Sequence, residues 1–323
     1  MTRSILQRLP LLMFAVLIAY PAAAQNFPAR TVRIIVPYAP GGSTDVVFRI
    51  LAPRLTEDLG QQVVVDNRPG GSSTIGLDLA AKSPPDGHTW GANNITYGAN
   101  PSLIRKMPFD SEKDLLPVSQ VTVVNLVVAL HPSVPVRSIK ELIALAKAHP
   151  GQLNFSSAGN ASANHLATAK FMNRTGTSMT HVPYKGGGPA VVSLVQGETS
   201  LLFATIPSSI DHIKGGRLRA IGVSRLQRSS ALPDVPTIAE SGVPNFEAIE
   251  WNGIMVPAGT PPAVIRRSQQ ALAKALALPA VKERIVNVGA EVIGSSPEEF
   301  AAFLKSEYAS WAKVIKEVGI TVE

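Results

Sequence analysis

Thr31-Val32-Arg33-Ile34-Ile35-Val36-Pro37-Tyr38-Ala39-Pro40-Gly41-Gly42-Ser43-Thr44-Asp45 is the stretch whose reading decides the fold. Val32 to Val36 is a short run rich in β-branched residues, the composition of a buried strand. Beyond the turn, Val46, Val47, Ile50, Leu51, Leu55 and Leu59 recur at helical spacing, and Gly60 stops the helix. Ser43, Thr44 or Asp45 can each serve as N-cap. A strand, a two-glycine turn and a helix N-terminus offer bare N–H groups, the positive dipole end and no Cβ in the way, which is a seat for an anion. The same residues also suit an ordinary βα turn. The pattern is neither GxGxxG nor a P-loop, so a nucleotide is not implied.

Working outward, the β–turn–α pattern recurs. Gln62 to Val65 is a second strand, Asp66 to Gly71 a turn and Thr74 to Lys82 a short helix. A third strand runs through Trp90, and polar, Gly-containing Asn93 to Asn100 reads as a loop at its end. Leu116 to Ala129 is apolar and its second half reads as a long strand crossing into another domain. Ser138-Ile139-Lys140-Glu141 is a capping box opening a helix to His149. Two further units follow: Leu153–Ser156, the turn Ser157 to Ser162 and a helix Ala163–Asn173; then Met179–Tyr184, the turn Lys185 to Gly188 and a helix Pro189–Gln196. Leu201–Ala204 and Leu218–Ser224 are strands joined by a helix over Ser208–Lys214, and Trp251–Val256 is a strand that returns to the first domain. Thr260 caps a helix with Pro261 at its first position, and Ser296-Pro297-Glu298-Glu299 opens the last one. Alternating strands and helices imply a mostly parallel sheet, with ligands beyond the carboxyl ends of its strands. The expected architecture is two α/β lobes whose turns face one another across a cleft, 25–125 with 247–323 forming one and 126–246 the other.

The 323 residues, 45% hydrophobic and 16% charged, suffice for one large or two medium domains with full cores. Arg3 and Arg8, apolar Leu9 to Tyr20 and Ala22-Ala23-Ala24 read as a signal peptide over residues 1–24, which sends the chain to the periplasm. There is no cysteine, which excludes disulfides, a lipid-bearing cysteine and thiol chemistry, and suits an exported protein that folds on its core alone. The net charge of +7 is scattered, without a basic run interleaved with aromatics, so no nucleic acid partner is expected.

Catalytic sets are missing from the sequence: neither GxSxG nor HExxH occurs. The six histidines include no pair at helical i, i+3 or i+4 spacing. No cofactor or metal is therefore expected. Ser43, His165 and Asp45 can be imagined as a triad, without support from spacing. His165 reads equally as a cap or a buried imidazole, Asp45 as an N-cap, and Lys185 as a solvated turn lysine. Many N–H and hydroxyl donors with few charges suit a small polar anion held without chemistry.

These motifs resemble a family. Val36-Pro37-Tyr38-Ala39-Pro40-Gly41-Gly42-Ser43-Thr44-Asp45, Asp66-Asn67-Arg68-Pro69-Gly70 with Ile75-Gly76, Pro85-Asp86-Gly87, Asn100-Pro101, Ser157-Ala158-Gly159 with His165-Leu166, His181-Val182-Pro183-Tyr184-Lys185-Gly186, Gly216-Arg217-Leu218-Arg219-Ala220, and Leu232-Pro233-Asp234-Val235-Pro236-Thr237 with Glu240-Ser241-Gly242 stand in one order along the chain. In this they resemble the Bug-type periplasmic solute receptors of tripartite tricarboxylate transporters. The resemblance implies a two-lobed Venus-flytrap fold with hinge strands and a small carboxylate in the cleft, held by loops and bridging water largely without arginine. It also implies a membrane transporter or sensor as partner, a monomer, and no enzymatic activity. The ligand-lining residues it implies are Tyr38, Pro40, Gly41, Gly42, Ser43, Thr44, Asp45, Thr96, Ser157, Ala158, Gly159, Ser162, His165, Tyr184, Lys185, Gly186 and Thr205. Thr96-Tyr97-Gly98 and the Asp-free strand end Phe203 to Pro207 depart from the family's usual pattern, which points to altered specificity there. The competing reading is a secreted α/β hydrolase acting on a small ester, and the absence of GxSxG counts against it.

Overall fold

β1 (Val32–Val36) buries Ile34, Ile35 and Val36 completely, as its β-branched composition requires. The computed structural model describes residues 27–318, so the expected signal peptide lies outside the described residues. α1 (Ser43–Leu59) follows the glycine turn, and Gly60 closes it in the left-handed conformation with its N–H on the Thr56 carbonyl. Its N-cap is Gly42, with no side-chain cap, rather than Ser43, Thr44 or Asp45. Those three side chains are drawn into contacts with other elements, described below.

In chain order come β2 (Val63–Asn67), a single 3-10 turn over Gly71–Ser73, α2 (Thr74–Ala81), β3 (Thr89–Asn94), α3 (Ile95–Leu103), β4 (Leu115–Leu130) and α4 (Ile139–Ala148). Then follow β5 (Asn154–Ser157), α5 (Ala163–Thr175), β6 (Thr180–Pro183), α6 (Gly187–Val195), β7 (Leu201–Thr205), α7 (Ile206–Lys214) and β8 (Arg219–Val223). β9 (Ile249–Pro257), α8 (Pro262–Ala277), α9 (Pro279–Asn287), β10 (Ala290–Val292) and α10 (Pro297–Val318) complete it. The Ser138 and Ser296 hydroxyls accept from the Glu141 and Glu299 N–H groups; Glu299 completes its box by reaching back to the Ser296 N–H, whereas Glu141 reaches one residue further, to the Arg137 N–H. The helix expected at Pro189 starts two residues earlier, at Gly187. The one expected at Pro261 starts one later, with Pro261 as N-cap.

α3 replaces the loop expected over Asn93 to Asn100. Asn94 is its N-cap and accepts from the Thr96 N–H. Bare Gly98 lets α10 lie close, near Glu307 and Trp311. Tertiary packing here overrides a weak local helix signal.

β4 organises the sheet. From Leu115 to Asn125 it pairs antiparallel with β9, and residues 122–124 pair with β10. From Leu126 to Leu130 it changes partners to β7 and β8. β1, β2 and β3 are mutually parallel in the first lobe, as are β5, β6 and β7 in the second. The expected parallel pairing therefore holds in the outer strands, while the strands around the crossing are antiparallel. α1 packs on α8 through Val47, Phe48, Leu51, Ala271 and Leu272. In the second lobe, Ala190 and Leu194 of α6 pack with Leu202 and Ala204 of β7. Among the described residues, no helix is long and apolar enough to cross a membrane.

Candidate functional site

The carboxyl ends of β1, β3, β5 and β6 converge on a cavity of about 140 Å³ between the lobes. The first lobe supplies Pro37 and Tyr38 after β1, Gly70 to Ser73 before α2, and Thr96 in the first turn of α3. The second supplies Ala158 to Asn160 and Ser162 before α5, with Tyr184 and Lys185 after β6. Among the described residues, Lys185 is the single charged side chain on this wall, and it is exposed.

Tyr38 is buried and donates its hydroxyl to Asn94 Oδ1 (2.5 Å), and burial pushes its pKa far up, so it stays a neutral donor. The Thr96 hydroxyl is buried beside the Tyr38 phenol, which it influences, but makes no well-aligned hydrogen bond among the described residues. A buried hydroxyl left unpaired is costly unless a ligand or water satisfies it. Ser72 and Ser73 both take the left-handed conformation (φ 50° and 78°), which side chains other than glycine rarely adopt. Asn100 Nδ2 holds them, donating to the Ser72 carbonyl (2.7 Å) and reaching Ser73 Oγ (3.3 Å).

The second-lobe turn is braced from behind. Asn164 accepts from the Ala158 N–H and donates to the Phe203 carbonyl, and the Ser162 hydroxyl caps α5 while donating to the Gly159 carbonyl. His165 accepts from the Ala161 N–H through Nδ1, and its ring stacks on His181 with centroids 4.1 Å apart. Burial lowers the pKa of His165. Burial and then the neighbouring His165 bring His181 down to about 4, so both are neutral at pH 7. Ser157 Oγ lies 2.6 Å from His181 Nε2, a nucleophile–base distance. Ser157 is fully buried, however, and also accepts from the Gly159 N–H. Ser157 and His165 thus support the turn instead of lining the cavity.

The glycine turn departs most from expectation. Its glycines make room for the other lobe rather than for an anion. Gly41 and Gly42 press against Gly187 and Gly188 at the start of α6, where a Cβ on Gly188 would fall 2.1 Å from the Pro40 carbonyl oxygen. The Ala39 N–H donates to the Lys185 carbonyl (3.0 Å) across the same seam, so the lobes are closed. Pro40 and Gly41 line a separate groove on the outside of the seam. Asp45 is occupied within the first lobe, accepting from the Gly41 N–H (2.9 Å), Arg49 Nε (2.9 Å) and Asn67 Nδ2 (3.0 Å). Thr44 donates to Asn252 Oδ1 (2.7 Å), and Ser43 donates to the buried carboxyl of Glu250 on β9. Gly186 meets Ala39 at the seam, and Thr205 stands at the N-cap of α7 without a side-chain cap, its hydroxyl 2.8 Å from that of Ser208. Tyr97 packs in the core against Phe109 and Tyr308 and donates to the Ser111 carbonyl, away from the cavity.

Residues 47–320 match the model of the tripartite tricarboxylate transporter family receptor. The chain belongs to this receptor family. It is 40% identical over 304 residues to Protein BugT of Bordetella pertussis, covering 94% of this chain and 93% of that protein. The solved periplasmic binding protein BugD superposes with a TM-score of 0.88 at 32% identity, covering 92% of this chain and all of that one. A protein of R. palustris solved with adipate superposes with a TM-score of 0.89 at 34% identity, covering 91% and 99%. Like the family, this chain is a receptor that captures a solute for transport, and the similar solved proteins are binding proteins.

Seven of the sequence-derived residues line the receptor's cavity: Tyr38, Thr96, Ala158, Gly159, Ser162, Tyr184 and Lys185. Pro37, Gly70, Gly71, Ser72, Ser73 and Asn160 also line it and were not anticipated. Gly70-Gly71 followed by two serines was a usable signal, because a glycine pair before a helix marks backbone brought close to something.

Proposed function

We propose that the receptor captures a small carboxylate in the interlobe cavity, in the periplasm, and delivers it as a monomer to a tripartite tricarboxylate-type transporter, without chemistry on the ligand. The carrying observation is the wall itself, which among the described residues has one cation, no carboxylate, and a buried hydroxyl at Thr96 without a well-aligned hydrogen bond. Adipate in the similar R. palustris protein supports the ligand class. The ligand's carboxylate accepts from Thr96 and from water, with Lys185 giving long-range attraction at the mouth. Tyr38, Thr96, Ala158, Gly159, Ser162, Tyr184 and Lys185 form the site together with Gly71 to Ser73 and Asn160. The partner change of β4 between Asn125 and Leu126 supports lobes of 25–125 with 247–323 and of 126–246, hinged on β4 and β9.

A thermal-shift screen of short carboxylic acids beside their primary amides tests this. A carboxylate that raises the midpoint while its amide does not is the expected result, because binding to the folded state alone stabilises it. Equal shifts from acid and amide, or none from any acid, would reject it. Light scattering should return the mass of one chain.

A further inference from the structure

We propose that the C-terminal helix α10 clasps α5 across the lobes, and that this apolar contact, outside the cavity, sets how tightly every ligand is held. Ala99 and Leu103 of α3 and Ile315 of α10, all in the first lobe, form one buried cluster with Ala161 and Leu166 of the second, and Trp311 packs against it. Ile315 is 7% exposed, Leu166 5% and Ala161 fully buried, so the cluster is closed to water although it spans both lobes.

The clasp and the cavity are two sides of the same elements. α3 presents Thr96 to the cavity from its first turn and Ala99 to the clasp one turn later. The turn before α5 presents Ala158, Gly159, Asn160 and Ser162 to the cavity, and Ala161 to the clasp. Ala161 sits in the left-handed conformation (φ 60°), with its N–H held by His165 Nδ1. Separating the lobes exposes the cluster, and closing them buries it again. A contact made only in the closed state adds the same free energy to the capture of each ligand. Leu166, Ile315 and Trp311 are therefore positioning residues that set affinity without touching ligand, whereas changes at Thr96 or Lys185 reorder preference among ligands.

The affinity consequence rests on the reading of the cavity as the ligand site; the clasp itself does not. The chain has no cysteine, so Leu166→Cys with Ile315→Cys introduces its only thiols. Both positions are at most 7% exposed, so in the folded protein without ligand these thiols should react with a maleimide far more slowly than in urea-unfolded protein. Labelling as fast in the folded protein as in urea overturns the clasp, whatever the ligand. In calorimetric titrations with adipate and malate as probes, Leu166→Ala and Ile315→Ala should each weaken both probes by the same factor, about tenfold for a truncated apolar contact. Unchanged affinity in both variants, or loss for one probe alone, overturns the affinity role. If neither probe binds the unmodified protein, the assignment of the ligand class fails while thiol protection still judges the clasp.

Discussion

Replacing Glu250 by Gln should make the receptor more stable at pH 8 and leave it nearly unchanged at pH 5. Glu250 lies on β9 opposite Val124, just before β4 changes partners, and is 4% exposed. The Ser43 hydroxyl donates to it and the neutral Tyr38 phenol lies in its field, and among the described residues no cation pairs with it. Burial pushes its pKa from 4.5 up to about 7, against the opposing effect of the Ser43 hydrogen bond. Because the folded value is raised, the carboxyl's contribution is fully present below 4.5 and is lost as pH rises through 7. The difference between the two values corresponds to about 3 kcal/mol across that window. Gln keeps an acceptor for Ser43 and does not ionise, so its contribution is flat. Urea unfolding of both proteins at pH 5 and pH 8 measures this. Other groups titrate in both proteins, including His165 and His181, whose lowered values work in the opposite direction: stability lost as pH falls below 6.5. They cancel in the difference between variant and parent. A difference that is the same at both pH values would refute the reasoning.

Three further outcomes follow from the seam and the cavity. Gly188→Ala places a Cβ against the Pro40 carbonyl, so ligand-induced closure should fail and affinity fall by about 10- to 100-fold, matching an overpacked contact of ~1–3 kcal/mol; an unaltered titration curve would show the seam is not part of the bound state. Thr96→Val keeps the side chain's shape and removes a hydroxyl without a well-aligned protein hydrogen bond, so affinity should drop by about 1 kcal/mol with the melting temperature unchanged or raised; a lower melting temperature with full affinity would place that hydroxyl in the fold instead, on Tyr38. Asp45→Asn faces three donors with an amide, so denaturant unfolding should show a loss of about 1.5–3 kcal/mol, the scale of charge-assisted hydrogen bonds; full stability with weakened binding would return Asp45 to the ligand site.

What was legible in the sequence was what short-range chemistry dictates. β1 showed in its β-branched run, the end of α1 in Gly60, and α4 and α10 in their capping boxes. The glycine turn was legible as backbone needing close approach, but what approaches it was not: Gly187 and Gly188 come from the other lobe, and nothing local to Gly41 encodes them. α3 was hidden for a similar reason, since its helix is stabilised by α10, which lies far along the chain. Asp45 and Ser43 read as caps or ligand groups because their partners, Asn67 and Glu250, are brought in by β2 and β9. Four of the seven first-lobe wall residues, Gly70 to Ser73, were missed because two left-handed serines carry no signature beyond the glycines before them.

The most direct test of the central claim is a crystal structure with the carboxylate that most raises the melting midpoint. That ligand is expected between the lobes, with a carboxylate oxygen or its bridging water within hydrogen-bond distance of Thr96 Oγ1, and Tyr38 and the Ser157 to Ser162 turn on either side. A carboxylate seated instead at Gly41 and Gly42, on the N-terminus of α1, would contradict it.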